Sequence, residues 1–341
     1  MQRTLSPDTE PHAPLVSIAI PAYNCARTIR STVSSCLQQT CTDIEVVVVD
    51  DGSTDDTAAE LARLADPRLK IVRQRNGGLA AARNTAMQHC SGEFIAWMDA
   101  DDIMCPDRIA RQAALLIEQP EIVLVSSDFS AFIGDGPDTE LSHIAGYYRV
   151  VPLAGGIANL YESSSPSPDA GIVRGRVYPR ILLGNFVHPP TVMFRRAALQ
   201  AAGKLDETFR NNCDYDFLIR IARLGEFAYI DRPLLRYRYQ PTQMSSTQNL
   251  ATVKLETARI IEKAMAKDTI YYSSHRSLMN ERIADCLIGA ARELVEKDPA
   301  TALRLLWRSS QRKLLPTPLL GTLLRLAIPE RLRASLRARR T

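Results

Sequence analysis

Short runs of β-branched residues alternate with helix-like segments between residues 16 and 126. This alternation is typical of a parallel sheet that helices cover on both faces. It predicts five strands, at residues 16–20, 44–49, 69–72, 94–98 and 122–125. It also predicts four helices, at residues 26–39, 55–64, 79–88 and 108–118. This part of the chain is therefore predicted to fold as an α/β unit.

The rest of the 341 residues is less regular. Residues 128–179 are rich in Gly, Ser and Pro, which predicts that loops dominate this stretch. Three further strands are predicted, at 191–194, 227–230 and 234–239, with helices at 195–202 and 214–224. The chain beyond residue 248 is predicted to be helical. Hydrophobic residues make up 45% and charged residues 23%, which excludes collagen-like, coiled-coil and wholly disordered classes.

The sequence lacks the features of disulfide-rich, zinc-binding, secreted and membrane-spanning proteins. The seven cysteines are scattered without a CxxC pair, so a disulfide framework or a zinc site is not expected. Residues 1–14 hold three prolines and no apolar segment, which indicates a flexible leader rather than a signal peptide. Nowhere do eighteen apolar residues run together, so no transmembrane helix is predicted. We therefore expect a cytoplasmic protein.

Acidic residues follow two of the predicted strands. Asp50 and Asp51 follow the second strand, and Asp99, Asp101 and Asp102 follow the fourth. Ligands of open parallel sheets bind beyond the carboxyl ends of the strands, so these side chains are expected at one edge. Five carboxylates there would repel each other unless a cation or a donor-rich ligand lies among them. The edge therefore predicts a metal-bound ligand.

The pair Asp99 and Asp101 is the strongest metal candidate. In an extended segment the two carboxylates project to the same side and offer oxygen ligands to a hard divalent ion. Oxygen-only ligation favours Mg²⁺ or Mn²⁺. A lone D-x-D is usually an ordinary surface loop, and only its place at the end of a strand, facing a second acidic loop, favours metal binding here.

Four ordered motifs resemble family 2 glycosyltransferases. They are VSIAIPAYN at 16–24, VDDGSTD at 49–55, NGGLAAARN at 76–84 and MDADD at 98–102. The resemblance covers about residues 15–245 and implies a GT-A fold, a Rossmann-like mixed sheet flanked by helices. It divides that domain into a nucleotide-sugar-binding half (15–127) and an acceptor-binding half (128–245), followed by a mostly α-helical C-terminal extension (246–341).

The resemblance also assigns roles to single residues on the donor side. Asp51 would accept a hydrogen bond from the base, Asp99 would face the ribose and the metal, and Asp101 would ligate the metal. Arg83 would meet phosphate charge, although a helical arginine is as often a solvated or salt-bridged surface group. The remaining donor-binding residues implied are Pro21, Ala22, Tyr23, Asn24 and Ala100.

The catalytic base is implied by a segment of the second half. Residues 205–220 resemble the family's segment with an acidic pair, and its base maps onto Asp214. This chain has Cys213 where Glu is usual. The alternative for Asp214 is an acid at a helix N-terminus, stabilised by the helix dipole. Residues two apart on a helix face opposite sides, so we assign Asp216 to an ion pair with Arg220 instead.

Other candidates are weaker. His188 precedes a predicted strand and is a candidate acceptor contact, although a structural histidine is the more frequent case. Arg236, Arg238 and residues 243–245 resemble the family's segment that closes over donor phosphates. Trp97 and Tyr229 are expected in the core rather than as sugar-stacking platforms.

The C-terminal tail is basic. Residues 312–341 hold eight Lys or Arg and one acid, Glu330, among many leucines. Such a stretch suits peripheral contact with the anionic cytoplasmic face of an inner membrane, or equally a terminal helix packed on the domain. Nucleic acid is not expected, because no recognition motif or aromatic stacking set accompanies the charge.

These features predict a metal-dependent inverting glycosyltransferase. The donor would be a nucleotide-diphosphate sugar, a UDP-sugar by family frequency, and the acceptor a saccharide or lipid-linked saccharide of bacterial cell-surface polysaccharide biosynthesis. Dinucleotide-dependent oxidoreduction and nucleotidyl transfer are disfavoured, because neither G-x-G-x-x-G nor a Gly-rich basic loop follows the first strand. The alternative is a catalytically silent module that binds nucleotide sugars or a membrane surface.

Overall fold

The computed structural model describes residues 13–134, 136, 138–139, 144–162, 171–239 and 250–313. The chain divides into two compact units, Met1–Gln240 and Pro241–Thr341. Most of the leader, residues 243–245 and the tail from residue 314 lie outside the described residues.

The first unit begins with four parallel strands and three helices, close to the predicted positions. The strands are β1 (Val16–Ala22), β2 (Ile44–Asp50), β3 (Leu69–Arg73) and β4 (Phe94–Trp97). The helices are α1 (Ile29–Leu37), α2 (Thr57–Ala62) and α3 (Leu79–His89). Every residue of β1 and β2 is buried, since helices pack on both faces of the sheet, and the register pairs Ile18 with Val46. The predicted strand alternation is confirmed here.

The sheet continues as a mixed sheet in the second half of the unit. Its strands are β5 (Ile103–Met104), β6 (Ile122–Phe132), β7 (Asp138–Thr139), β8 (Ile172–Gly175), β9 (Met193–Arg195) and β10 (Glu226–Arg238). The strand order is β3-β2-β1-β4-β9-β6-β10-β5, with β7 beside β6 and β8 beside β10. Strand β9 lies antiparallel between β4 and β6. The predicted α/β class with a mixed sheet is confirmed.

Helices of this half are mostly short. They are α4 (Arg108–Glu118), α5 (Ile144–Tyr147), α6 (Val150–Leu153), α7 (Tyr178–Ile181), α8 (Arg196–Ala202) and α9 (Cys213–Ile221), with single 3-10 turns at Ile157–Leu160 and Pro189–Thr191. Residues 128–179 were expected to be dominated by loops, but their described part also contains regular structure. Strand β6 runs on to Phe132, and β7, α5, α6 and β8 follow.

The two predicted strands at 227–230 and 234–239 are one strand, β10. Its register against β6 shifts at Pro233, which has no N–H to donate to the ladder. The bulge leaves Asp231, Arg232 and Pro233 exposed and lets the strand resume beyond them. Trp97 and Tyr229 lie in the core as predicted, Trp97 against the rings of Phe194 and Phe217.

The described part of the second unit consists of α10 (Leu250–Lys267), α11 (Thr269–Leu294) and α12 (Pro299–Ser310). The side chains of Asp268 and Asp298 cap α11 and α12 by accepting from the backbone N–H of Tyr271 and Thr301. The predicted helical C-terminal region is therefore confirmed over residues 250–313. Among the described helices, none combines the length and apolar composition that crossing a bilayer requires.

Candidate functional site

The loops after β1 and β2 interlock at the carboxyl edge of the sheet. Asn24 adopts a left-handed conformation (φ 49°), and its side-chain oxygen accepts from the backbone N–H of Thr54 at 2.8 Å. Its own N–H donates to the Ser53 hydroxyl at 3.0 Å. Pro21 and Ala22 are buried, whereas Tyr23 is 51% exposed. The predicted base-binding segment is thus a fixed turn that presents one aromatic ring to solvent.

Asp51 is buried and holds the loop between β3 and α3. Its carboxylate accepts from the Gln74 side chain at 2.7 Å and from the backbone N–H groups of Gly77 and Gly78, both at 2.8 Å. A carboxylate offers about four acceptor positions, so one remains for a ligand. Gly52 is required beside it, because φ is +71° and a Cβ would lie 2.8 Å from the Asn76 nitrogen. The predicted contact from Asp51 to the base stays a prediction.

Asp50 has a different environment from Asp51. It accepts from the Ser53 N–H at 2.9 Å and pairs with Arg73 at 3.3 Å. Its charge is therefore compensated within the protein, and it is not one of the carboxylates that require a cation.

Arg83 is buried on α3 and pairs with Asp99. The Arg83 Nη2 to Asp99 Oδ1 distance is 2.5 Å, and the guanidinium lies 4.9 Å from the centre of the Trp97 ring. Burial alone would lower the pKa of Arg83, but the Asp99 carboxylate, Cys213 and Asp214 raise it. The solvated-surface alternative is excluded, since only 2% of the side chain is exposed. Its Nε and Nη1 make no hydrogen bond within the described structure.

Side chains of other elements hold the D-A-D-D segment (residues 99–102) in place, mainly through hydrogen bonds to its backbone carbonyls. The Thr28 and Thr32 hydroxyls donate to the Ala100 carbonyl at 2.9 and 3.1 Å, and Thr32 also donates to the Asp102 carbonyl at 2.8 Å. From β10, Arg238 donates its Nε to the Asp101 carbonyl and its N–H to the Asp102 carboxylate, both at 2.9 Å. These contacts fix where the carboxylates of Asp99 and Asp101 lie.

Several carboxylates lie close together at this segment and affect each other's pKa. Burial and the neighbouring Asp99 raise the pKa of Asp101 to about 6. Burial, Asp101 and Asp99 also raise the pKa of Asp102, whose Oδ2 makes no hydrogen bond among the described residues. Carboxylates that raise each other's pKa form a site that a cation would stabilise.

The residues present fit a divalent ion as a partial ligand set. Within the described ranges no three His, Cys, Asp or Glu side chains converge as a ready-made metal cage. Asp99 and Asp101 supply carboxylate oxygens, and oxygen ligands suit Mg²⁺ and Mn²⁺, which commonly take their other ligands from substrate phosphates and water. The site therefore suits a metal that arrives with a phosphorylated ligand.

Asp214 shares this environment although it comes from the other half of the domain. It lies in the first turn of α9, is half-buried, and accepts from the Tyr215 N–H at 2.7 Å. Burial raises the pKa of Asp214, Arg83 opposes the rise, and Asp99 adds to it. The fold thus brings Asp214 to Asp99 and Arg83.

Asp216 points elsewhere on the same helix. It is buried and pairs with Arg220 at 3.0 Å, as predicted. The Arg220 guanidinium also donates to the carbonyls of Ala202, Gly203 and Lys204, the C-terminal end of α8 and the residues after it. Cys213 is fully buried at the start of α9.

Asn84 is a functional candidate that the sequence did not single out. Its amide donates to the Leu205 carbonyl at 3.0 Å and to the Glu207 carboxylate at 2.9 Å, and its oxygen accepts from the Leu205 N–H at 2.8 Å. Asn84 follows Arg83 on α3, so one helical turn joins the Asp99 side to the segment leading into α9. The sequence did contain a signal for this residue. Asparagine is a poor helix former, so an asparagine in the middle of a predicted helix suggests that its side chain has a specific partner.

His188 is buried beside aromatic rings rather than exposed to a ligand. Its Nδ1 lies 3.2 Å from the Tyr148 hydroxyl, and its ring stacks on Phe129 with centroids 4.2 Å apart. Burial lowers the pKa of His188 to about 3, so the ring is neutral. Its Nε2 makes no hydrogen bond among the described residues. The burial of His188 fits a structural role. Its role as an acceptor contact stays a prediction.

Residues 17–164 match the model of glycosyl transferase family 2. Over these residues the chain therefore matches the family 2 glycosyltransferases. A chondroitin synthase of Pasteurella multocida (strain Pm70) is 28% identical over 273 residues, covering 79% of this chain and 25% of that protein. A UDP-Glc:α-D-GlcNAc-diphosphoundecaprenol β-1,3-glucosyltransferase of Escherichia coli is 39% identical over 105 residues, covering 30% of this chain and 42% of that one.

A solved structure shares the GT-A type of fold. The mannosyltransferase from Pyrobaculum calidifontis, in complex with GDP-Man and Mn²⁺, superposes with a TM-score of 0.54 at 20% identity, covering 93% of this chain and 85% of that chain. The present chain spans 25–35% of the length of the bacterial chondroitin and hyaluronan synthases that it matches.

Proposed function

We propose that this glycosyltransferase moves a sugar from a UDP-sugar to a hydroxyl of a saccharide or lipid-linked saccharide, with inversion at the anomeric carbon. The observation that carries the proposal is the shared environment of Asp99, Arg83 and Asp214, which joins the donor edge to a carboxylate of the other half. A polysaccharide synthase and a UDP-glucose-dependent transferase among its relatives support this donor class and a role in cell-surface polysaccharide synthesis.

The donor would lie along the carboxyl edge of the sheet. The turn at 21–24 and the free acceptor position of Asp51 would hold the base and ribose, and Asp99, Ala100 and Asp101 would face the ribose and diphosphate. Asp101 and Asp99 would hold Mn²⁺ or Mg²⁺, which neutralises charge on the diphosphate when bound. The Mn²⁺ in the mannosyltransferase structure supports this cofactor.

Asp214 would act as the general base. Its carboxylate takes the proton of the acceptor hydroxyl while that oxygen attacks the anomeric carbon from the side opposite the diphosphate. A single displacement of this kind inverts the configuration. Burial raises the pKa of Asp214, which makes the carboxylate a stronger base.

Peripheral contact with the cytoplasmic face of the inner membrane stays a prediction. The basic residues of the C-terminal tail on which it rests lie outside the described residues; they include Arg325, Arg331, Arg333, Arg337, Arg339 and Arg340.

Release of UDP from UDP-glucose and UDP-N-acetylglucosamine tests the proposal. We expect release with Mn²⁺, loss of release with EDTA, and a decrease of at least about a hundredfold in Asp101→Asn, because the substitution removes one ligand charge. Asp231→Asn, an acid-to-amide change at the exposed bulge of β10, is the control and should behave as wild type. Release that ignores both the metal and Asp101 would contradict the proposal, and donor binding without turnover would favour the silent module.

A further inference from the structure

Five side chains from four segments form an aromatic cluster beside the site. Phe129 comes from β6, Tyr147 and Tyr148 from the end of α5, His188 from the turn before β9, and Tyr237 from β10. The Tyr147 ring lies 5.7 Å from Phe129, 4.9 Å from Tyr148, 5.3 Å from His188 and 6.0 Å from Tyr237, between ring centres. All four pairs are edge-to-face, so neighbouring rings hold the Tyr147 ring in place.

Exposure differs sharply within the cluster. Phe129 is fully buried, and His188 and Tyr237 are 3% and 9% exposed, whereas Tyr147 is 39% exposed. A rigidly packed ring that still reaches solvent offers a large apolar surface at little cost in side-chain entropy. The cluster therefore presents a preformed surface rather than an incidental exposed tyrosine.

Backbone contacts place the cluster next to the D-A-D-D segment on two sides. The turn after His188 joins the end of β4, since the Trp97 N–H donates to the Val192 carbonyl at 3.0 Å and Arg108 bridges the carbonyls of Trp97 and Val192. On the other side, Tyr237 precedes Arg238, which bonds the Asp101 carbonyl and the Asp102 carboxylate.

The electrostatics agree with this placement. Burial raises the pKa of the Tyr148 hydroxyl, and Tyr147, Asp214, Tyr237 and Asp99 raise it further. The cluster thus lies within electrostatic reach of the proposed base and the donor-side carboxylate. The cluster itself carries no formal charge, because the buried His188 is neutral.

We propose that Tyr147 is the stacking platform of the acceptor subsite and that it takes a pyranose ring of a neutral saccharide, placing a sugar hydroxyl before Asp214. The inference rests on the proposed function. A pyranose has an apolar C–H face and a polar rim, which match an exposed aromatic ring in a cluster that also carries tyrosine hydroxyls. A phosphate-bearing group would instead require a cation, which the cluster does not supply.

Saturation-transfer difference NMR tests the stacking directly. The probes are the methyl β-glycosides of glucose, galactose and N-acetylglucosamine, each with UDP and Mg²⁺ present. Wild type and Tyr147→Phe, which keeps the ring, should give signals from the sugar C–H protons of at least one probe. Tyr147→Ala should bind that probe about tenfold more weakly. The control Trp307→Ala removes another exposed aromatic ring, 63% exposed on α12, and should behave as wild type.

Two results would overturn the inference: no signal with wild type, or equal signals in wild type and a Tyr147→Ala variant that unfolds at the same temperature as wild type. Metal-dependent release of UDP from a UDP-sugar without acceptor is measured in parallel, and Tyr147→Ala should retain it. If wild type shows no metal-dependent release of UDP, the proposed function is contradicted. If wild type releases UDP but binds none of the sugar probes, only the proposed acceptor subsite is contradicted.

Discussion

Buried carboxylates have opposite surroundings at the two ends of the parallel strands. At the amino end, Glu45 of β2 accepts from the Ser17 hydroxyl at 2.6 Å, from the Ser91 N–H at 2.6 Å and from its hydroxyl at 2.7 Å. Lys70 completes the set at 2.5 Å from the other oxygen. At the carboxyl end, Asp101 lies among further acids, between Asp99 and Asp102 in the sequence.

The pKa values record this difference. Burial alone would raise the pKa of Glu45, but the hydrogen bonds from Lys70, Ser17 and Ser91 lower it to about 2. Burial and Asp99 raise the pKa of Asp101 to about 6. Charge at the amino end is compensated within the protein and stabilises the fold. Charge at the carboxyl end lies among neighbouring acids that raise the pKa of Asp101 and Asp102, which is more typical of a functional site than of a structural one.

The largest effect is expected from Asp214→Asn, which keeps the shape of the side chain and removes the base. General-base catalysis contributes typically about 10²–10⁴-fold, so kcat for transfer should fall by that factor while affinity for UDP with Mn²⁺ stays unchanged. Steady-state kinetics and calorimetric titration with UDP measure the two quantities.

The pH profile sharpens this test. Because the pKa of Asp214 is raised, kcat of the wild type should fall on the acidic side at a pH above the ordinary range of an aspartate, and Asp214→Asn should lack this dependence. If Asp214→Asn has a normal kcat, Asp214 is not the catalytic base. The difference between the two ends of the sheet would then have no demonstrated link to catalysis.

The residues proposed to bind the donor could be predicted from the sequence because they lie in short contiguous motifs. The turn at 21–24 and the segment at 98–102 each follow a short, apolar strand, and strand ends in a parallel sheet share one edge. The two strands were predicted at residues 16–20 and 94–98, close to β1 and β4.

The acceptor side could not be predicted in the same way. Strand β9 inserts antiparallel between β4 and β6, and this order depends on packing over long sequence separations. Tyr147 joins Phe129, His188 and Tyr237 only through that topology. The burial of Arg83 was equally hidden, because the helical pattern does not show that Trp97 and Asp99 cover its guanidinium.

An intermediate effect is expected from Asn84→Ala, since Asn84 connects the two sides of the site. The substitution leaves the Leu205 N–H and carbonyl without their buried partner, which costs about 2–3 kcal/mol of unfolding free energy. Urea unfolding measures this loss. If the connection also positions α9, kcat should fall while the affinity for UDP is retained.

Glu207→Gln is the matched control for Asn84, because its amide oxygen can still accept from the Asn84 side chain. It should stay near wild type in both stability and kcat. Wild-type kcat in a destabilised Asn84→Ala variant would restrict Asn84 to a structural role.

The smallest effect is expected at the amino end, from Glu45→Gln. The amide oxygen can still accept from Ser17 and Ser91, but the charge that pairs with Lys70 is gone, and half of the Lys70 side chain is exposed, so the expected loss is about 1–2 kcal/mol at pH 7. Because the folded-state pKa of Glu45 lies below its unfolded value, the stabilisation is present above about pH 4.5 and disappears as the pH falls towards about 2. Urea unfolding at pH 7, 5 and 3 should therefore show wild type and variant converging at the lowest pH, with activity at pH 7 equal in both. A difference in stability that stays constant with pH would mean that the compensated charge is not what stabilises this end of the sheet.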